Sequence, residues 1–142
     1  MDYLRSFAIS AAGMSVERTR VETSAFNLAQ VHVAQAPGQL PFQPLRVVAT
    51  SSLGFAAMVG EAADALARPA AVVEPTGAPP RQVLDPGHPF ADARGFVSYP
   101  GVDAAAEMVT LMGATRAYEA NVAALNTARA LALKTLEIGR NS

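Results

Sequence analysis

Apolar residues recur at alternating spacings of three and four in two stretches, one near each end of the chain. Between residues 2 and 30 the rhythm falls on Leu4, Phe7, Ala11, Met14, Arg18, Val21, Ala25 and Leu28, which places them in one stripe along an α-helix. No proline interrupts this segment, and its one glycine, Gly13, costs about 1 kcal/mol relative to alanine without breaking a helix. Pro37 and Gly38 end any continuation. From 104 to 138 the rhythm returns at Met108, Leu111, Thr115, Tyr118, Val122, Leu125, Arg129, Ala132 and Leu136. Asp103 is the expected N-cap and Gly139 the expected stop. At about 1.5 Å per residue this helix runs roughly 50 Å, so its stripe calls for a partner of similar length, which the first helix supplies. Arg18 and Arg129 interrupt the stripes, either as a register-setting ion pair or as side chains that snorkel to water, and arginine's long stem favours the second. Ile9, Val16, Phe26, Val109, Met112 and Leu133 lie off both stripes. A simple helix pair leaves them in water, so they call for further helices from other chains.

The middle of the chain follows a different pattern. Residues 37–103 contain all 10 prolines and most of the glycines, which rules out long helices over most of it. PLRVVAT, AAVVEP, RQVLDP and GFVSYP are short β-branched or aromatic runs bounded by turn residues, and predict four short strands. The alanine-rich stretch 55–68 fits a short helix or a loop. The expected fold is therefore mainly α with a small β element. Residues 1–36 and 104–142 form terminal helices paired as an antiparallel coiled coil, and 37–103 form a Pro/Gly-rich, hairpin-containing β element with loops.

Composition narrows the function classes. The 142 residues are 51% hydrophobic with mean hydropathy +0.20 and no tryptophan, which is apolar for a single domain of this length. Eleven basic residues against 12 acidic ones leave a net charge of −1, so there is no electrostatic footprint for nucleic acid and no basic face for an anionic membrane. No run approaches a membrane span. The start MDYLRSFAIS lacks the basic, then continuously apolar, pattern of a cleavable signal peptide. With no cysteine, thiolate catalysis, Cys-ligated zinc and disulfides are all absent.

The stretch DPGHPFADARGFVSYPGVD, residues 85–103, is the richest in chemistry. A metal reading would use Asp85, His88 and Asp92 with the distant His32, which is no recognised ligand spacing. A hydrolase reading would use Ser98, His88 and Asp85, but no nucleophile elbow or Gly-rich oxyanion loop accompanies them. A turn explains more: Asp85 starts it, Pro86 and Pro89 fix φ, and Gly87 and Gly95 are free to take positive φ. His88 is then a packed or surface turn residue. This reading expects no catalytic residue, cofactor or metal. Asn27, Asn121 and Asn126 are candidates to cap or cross-link helices, or are simply solvated.

Several blocks resemble the flagellar basal-body rod proteins, in particular their proximal rod components. They are ISAAGMSVERTRVETSAFNLA (9–29), DPGHPFADARGFVSYPGVD (85–103), EMVTLMGATRAYEANVAALNTAR (107–129) and LKTLEIGR (133–140). After Asn27 and Leu28 the family usually continues with an Ala-Asn-Ala-Asn-Thr type of run, where this chain has AQVHVAQAPGQLPFQP. Phe26 stands where a serine is usual, and Phe42 holds the family's aromatic position.

The resemblance implies a structural subunit of the rod, with paired terminal helices lining a tube and the β element outside it. The implied partners are other rod proteins, further copies of itself, the MS-ring/rod junction proteins and the flagellar type III export apparatus, which exports the chain without cleaving a signal peptide. The expected subunit-interface residues are Leu4, Phe7, Met14, Val21, Leu28, Met108, Leu111, Tyr118, Val122, Leu125 and Leu136. Asp85, Pro86, Gly87, His88, Pro89 and Gly95 are expected to build the turn. A soluble coiled-coil adaptor fits the heptads equally well, and a small hydrolase fits only residues 85–103.

Overall fold

The computed structural model describes residues 3–51 and 69–140, with side chains over 6–50 and 69–139. The elements run α1 (Tyr3–Gln30), β1 (Leu45–Ser51), β2 (Pro69–Pro75), β3 (Arg81–Leu84), β4 (Phe96–Tyr99) and α2 (Ala104–Arg140). The protein is mainly helical with a small β element, as the pattern predicts, and all four apolar runs of the middle segment form strands. Residues 55–68 lie outside the described residues.

Two local signals at the ends of α2 had different outcomes. Asp103 is its N-cap: its Oδ1 accepts from the N–H groups of Ala105 at 3.0 Å and Ala106 at 3.2 Å. Gly139 does not stop the helix, which continues to Arg140. A glycine ends a helix by turning left-handed, and among the described residues only Gly38, Gly77 and Gly95 have positive φ.

The chain divides into two compact units. The first is made of Met1–Thr19, Val48–Val72 and Gly113–Ser142. Here α1 and α2 approach through small residues. A Cβ built on Gly13 would lie 3.1 Å from the side chain of Asn121, which is itself steadied by donating to the Ala117 carbonyl at 3.0 Å. Val16, 4% exposed, and Ala114, 2% exposed, are buried in this unit. Val16 is thus a core residue and not one awaiting another chain. Ala117, Asn121, Leu125, Ala128 and Ala132 are half-buried along the same side of α2. This inner row keeps the 3,4 rhythm but exchanges half of the predicted stripe for small neighbours. Small side chains let helix backbones approach more closely than large ones do.

The second unit comprises Arg20–Val47 and Val73–Met112. Its buried groups include Thr23, Ser24, Asn27, Pro44, Val97 and Pro100. Asn27, fully buried, ties three elements together. Its Nδ2 donates to the Leu45 carbonyl and to Glu107 Oε1, both at 2.7 Å, while its Oδ1 accepts from the Leu45 N–H at 3.0 Å. A buried amide satisfied on both sides fixes where β1 begins relative to α1 and α2, because leaving such groups unpaired is costly.

Where β1 pairs with β2, Arg46 forms an ion pair with Glu74 at 2.6 Å, and the Thr76 N–H donates to the Pro44 carbonyl at 2.8 Å. β3 and β4 are antiparallel in the register Arg81↔Tyr99, Gln82↔Ser98, Val83↔Val97 and Leu84↔Phe96. Val97, 0% exposed, points into this unit, and the Arg81 guanidinium sits 5.7 Å from the centroid of the Tyr99 ring. Gly101 is required by space: a Cβ there would run into the Pro79 carbonyl oxygen.

Candidate assembly surface and the 85–103 turn

The expected interface residues divide between half-buried and open positions. On α1, Phe7, Met14, Val21 and Leu28 are half-buried, whereas Ala11, Arg18 and Ala25 are exposed. The side chain of Leu4 lies outside those described. On α2, Leu111, Val122 and Leu125 are half-buried, while Met108, Tyr118 and Leu136 are exposed, Leu136 to 71%. Arg129 is exposed as well. Ile9, Phe26, Val109, Met112 and Leu133 are exposed. Leu131 and Ile138 join them on α2. The 3,4 template passed over these two, but their signal was present in LALKTLEI, where large apolar residues occur too densely for one face to hold them.

Large apolar groups facing water on a helix mark a surface that another chain can cover. The first unit's inner row is rich in alanine, with Leu125 as its one large apolar member. Among the described residues, no helix is long and apolar enough to cross a membrane.

The 85–103 stretch is a hairpin whose turn closes on itself. The Asp85 N–H donates to the Gly95 carbonyl at 2.9 Å, and the His88 N–H donates back to the Asp85 carbonyl at 3.2 Å. A second turn nests inside, with the Gly95 N–H on the Asp92 carbonyl at 2.9 Å and the Asp92 N–H on the Phe96 carbonyl at 2.8 Å. Gly95 takes φ +82° and packs against Pro86. Gly87 does not adopt positive φ; Pro86 presets its own φ for the turn, which leaves Gly87 an ordinary backbone conformation.

Asp92 is the turn's polar centre. Its Oδ1 accepts from the N–H groups of Arg94 at 2.8 Å and Phe96 at 2.9 Å. The Phe96 N–H bond is the largest influence holding the Asp92 carboxyl below its ordinary value of 3.8. The Arg94 N–H, the Arg94 charge and the Gly95 N–H act in the same sense, against a partial desolvation.

The same geometry tests the chemical readings of the segment. His88 Nδ1 accepts from the Phe90 N–H at 3.0 Å, and the two rings lie 5.5 Å apart, so this nitrogen serves the turn. Ser98 Oγ faces Gln35 Oε1 at 3.5 Å. Among the described residues, no three His, Cys, Asp or Glu side chains gather as a metal site would require. Of the asparagines, Asn27 cross-links elements, Asn121 packs against Gly13, and Asn126 is exposed.

The unusual Phe26 also finds its partner. Its ring lies 5.6 Å from that of Phe42, tilted by 55°, an arrangement favourable to the aromatic quadrupoles. The departure from the family pattern at 26 is therefore matched within the chain.

Known proteins give the surface its context. Residues 93–138 match the family model described as flagellar basal body rod FlgEFG protein C-terminal. The chain is 37% identical over 140 residues to the flagellar basal-body rod protein FlgC of Yersinia enterocolitica, covering 99% of this chain and all of that one. It is 36% identical to the FlgC of Salmonella typhimurium with the same coverage. To the FlgC of Bacillus subtilis it is 31% identical over 152 residues, again across 99% of this chain and the whole relative. The chain belongs to the FlgC family of flagellar basal-body rod proteins.

Proposed function

We propose that this chain is a non-enzymatic structural subunit of the proximal rod in the bacterial flagellar basal body. It assembles helically with other rod proteins and with copies of itself into the drive shaft that also encloses the export channel. The observation that carries this reading is the set of large apolar side chains left exposed along α2 from Met108 to Ile138, in a chain of this family. Covering each such side chain contributes on the order of 1.5–3 kcal/mol, so a few contacts per neighbour offset the entropy of ordering long helices.

In this reading residues 1–36 and 104–142 form the inner tube, with Leu4, Phe7, Met14, Val21, Leu28, Met108, Leu111, Tyr118, Val122, Leu125 and Leu136 meeting neighbours or bracing the helices that do. Residues 37–103 fill contacts outside the tube, with Asp85, Pro86, Gly87, His88, Pro89 and Gly95 as a stiff turn. The remaining partners are the MS-ring/rod junction proteins and the type III export apparatus. The rod crosses the periplasm, so the chain reaches its place by that apparatus with its N-terminal residues intact.

Basal bodies purified from cells expressing a tagged chain test this directly. The expected result is the tagged protein in the rod fraction, with an uncleaved N-terminus by mass spectrometry. Its absence from basal bodies of motile cells that have no other copy would sink the reading. Leu136→Asp should leave the amount of chain in the cell unchanged while removing it from the rod fraction.

A further inference from the structure

The chain has no cysteine, so its five methionines carry all of its sulfur. Two of them stand together. Met108 and Met112, four residues apart in α2, lie on one side of the helix a turn apart. They are 54% and 53% exposed, and Val109 beside them is 66% exposed. Glu107 and Leu111, further round the same turns, are half-buried, and Glu107 is held by the Asn27 amide at 2.7 Å. That bond fixes which side of α2 faces the rest of its unit and leaves the two thioethers on the open side. Met14 on α1 is half-buried by contrast.

Exposure sets how readily a thioether meets a mild oxidant such as hydrogen peroxide. A sulfur lone pair attacks one peroxide oxygen, the O–O bond breaks and an S–O bond forms. The proton on the attacked oxygen passes to the departing one, which leaves as water. The sulfur loses two electrons and the peroxide gains them. An apolar, flexible side chain thereby becomes a polar one, and its oxygen, covered by an apolar neighbour, loses water without gaining a donor. We infer that Met108 and Met112 form a peroxide-sensitive site whose oxidation to sulfoxides bars the chain from assembly and whose reduction readmits it. Two oxidised positions one turn apart spoil a single contact twice, so the effect is larger than that of either alone. The inference rests on the reading of the chain as a rod subunit, in which neighbours cover this part of α2.

The purified chain would be treated with hydrogen peroxide, the excess destroyed with catalase, and circular dichroism followed as other rod proteins are added. Peptide mass spectrometry would place the sulfoxides. The expected result is a rise in helicity for the untreated chain, reduced to less than about a fifth once Met108 and Met112 are oxidised. Incubation with methionine sulfoxide reductases for both epimers should restore the rise in step with the loss of sulfoxide at 108 and 112. The double variant Met108→Leu, Met112→Leu keeps the apolar volume and still carries Met1, Met14 and Met58, so it should assemble equally before and after peroxide. An oxidised parent that assembles as well as the untreated one overturns the inference and leaves the rod reading intact. Loss of assembly in the peroxide-treated double variant also overturns it, because another methionine is then responsible. Should that variant fail to assemble untreated, the course of repair decides, and recovery that tracks Met14 or Met58 instead overturns the inference. No rise for the untreated parent would sink the rod reading, and this inference with it.

Discussion

The 81–99 hairpin and helix α2 answer the same problem, an excess of apolar residues in a short chain, in opposite ways. The hairpin buries Val97 completely and then closes every nearby turn with local bonds: Asp85 to Gly95, Gly95 to Asp92, Phe96 to Asp92. α2 buries Ala114 and leaves Met108, Val109, Met112, Leu131, Leu133, Leu136 and Ile138 in water. The hairpin closes its turn within one chain, although Val83, Leu84 and Phe90 stay exposed. Those seven side chains of α2 are left exposed, and in the proposed rod a neighbour covers them. Substitutions should therefore separate cleanly: those near the hairpin should damage the free chain, and those on the outer face of α2 should damage only the assembly.

The largest effect in the free chain is expected at Asn27. Asn27→Ala strands the Leu45 N–H, the Leu45 carbonyl and the Glu107 carboxylate, all of which it now satisfies. At about 1–3 kcal/mol for each buried group left unpaired, with partial rescue by water, the loss is roughly 3 kcal/mol. Hydrogen exchange at the Leu45 and Val97 amides would read it, and unchanged protection would show that the latch is dispensable.

Gly101→Ala should follow, at about 1–3 kcal/mol, because its new methyl must push the Pro79 carbonyl aside. The same exchange measurement serves, with the Tyr99 amide as the nearest reporter. A neutral result would mean that the 76–80 linker yields freely.

How far the sequence revealed this division depends on the physics at each position. Periodicity located both helices and all four strands, because helix and strand periods are local properties of the chain. The Asp103 cap was legible because its bonds span two and three residues, and the 85–95 turn because its prolines and glycines set the backbone locally. The inner face of the helices was not. The 3,4 template follows large apolar residues, whereas the contact at Gly13 and Asn121 and the burial of Ala114 depend on small ones, which periodicity of hydrophobicity weights little. Val16 falls off the stripe for the same reason, although it is buried. Asn27 could be named as a possible cross-link, but its partners lie 18 and 80 residues away, and no local pattern joins them. Gly101 needed the position of Pro79, which only the folded chain provides.

The outer face supplies the sharpest contrast. Leu136, 71% exposed, has little to lose in the free chain, so Leu136→Asp should change its stability by no more than about 0.5 kcal/mol. Incorporation into basal bodies should nonetheless fail, since a carboxylate in a covered apolar contact carries a large desolvation cost. Circular dichroism at micromolar concentration, followed as other rod proteins are added, would separate the two effects. The expected result is equal helicity of variant and parent alone, and a rise on mixing for the parent only. A rise of equal size in both would remove this position from the interface.

The smallest effect belongs to Asp92 and appears only in acid. Because the folded turn holds its carboxyl below 3.8, the ionised form is favoured by folding. That contribution is complete at pH above the ordinary value and disappears as pH falls through the lowered one. Asp92→Asn keeps an oxygen in place for the Arg94 and Phe96 N–H groups but cannot titrate, and a neutral acceptor holds them less strongly than a carboxylate does. At neutral pH the variant's turn should therefore exchange the Phe96 amide faster than the parent's. Below the lowered value the two chains should converge. The amide resonances of Arg94 and Phe96, followed as the pH is taken below 3.8, would report the titration in the parent and its absence in the variant. If the variant's hairpin amides exchanged as slowly as the parent's at neutral pH, the carboxylate would be incidental, and closure would rest on Gly95 and the proline-set backbone alone.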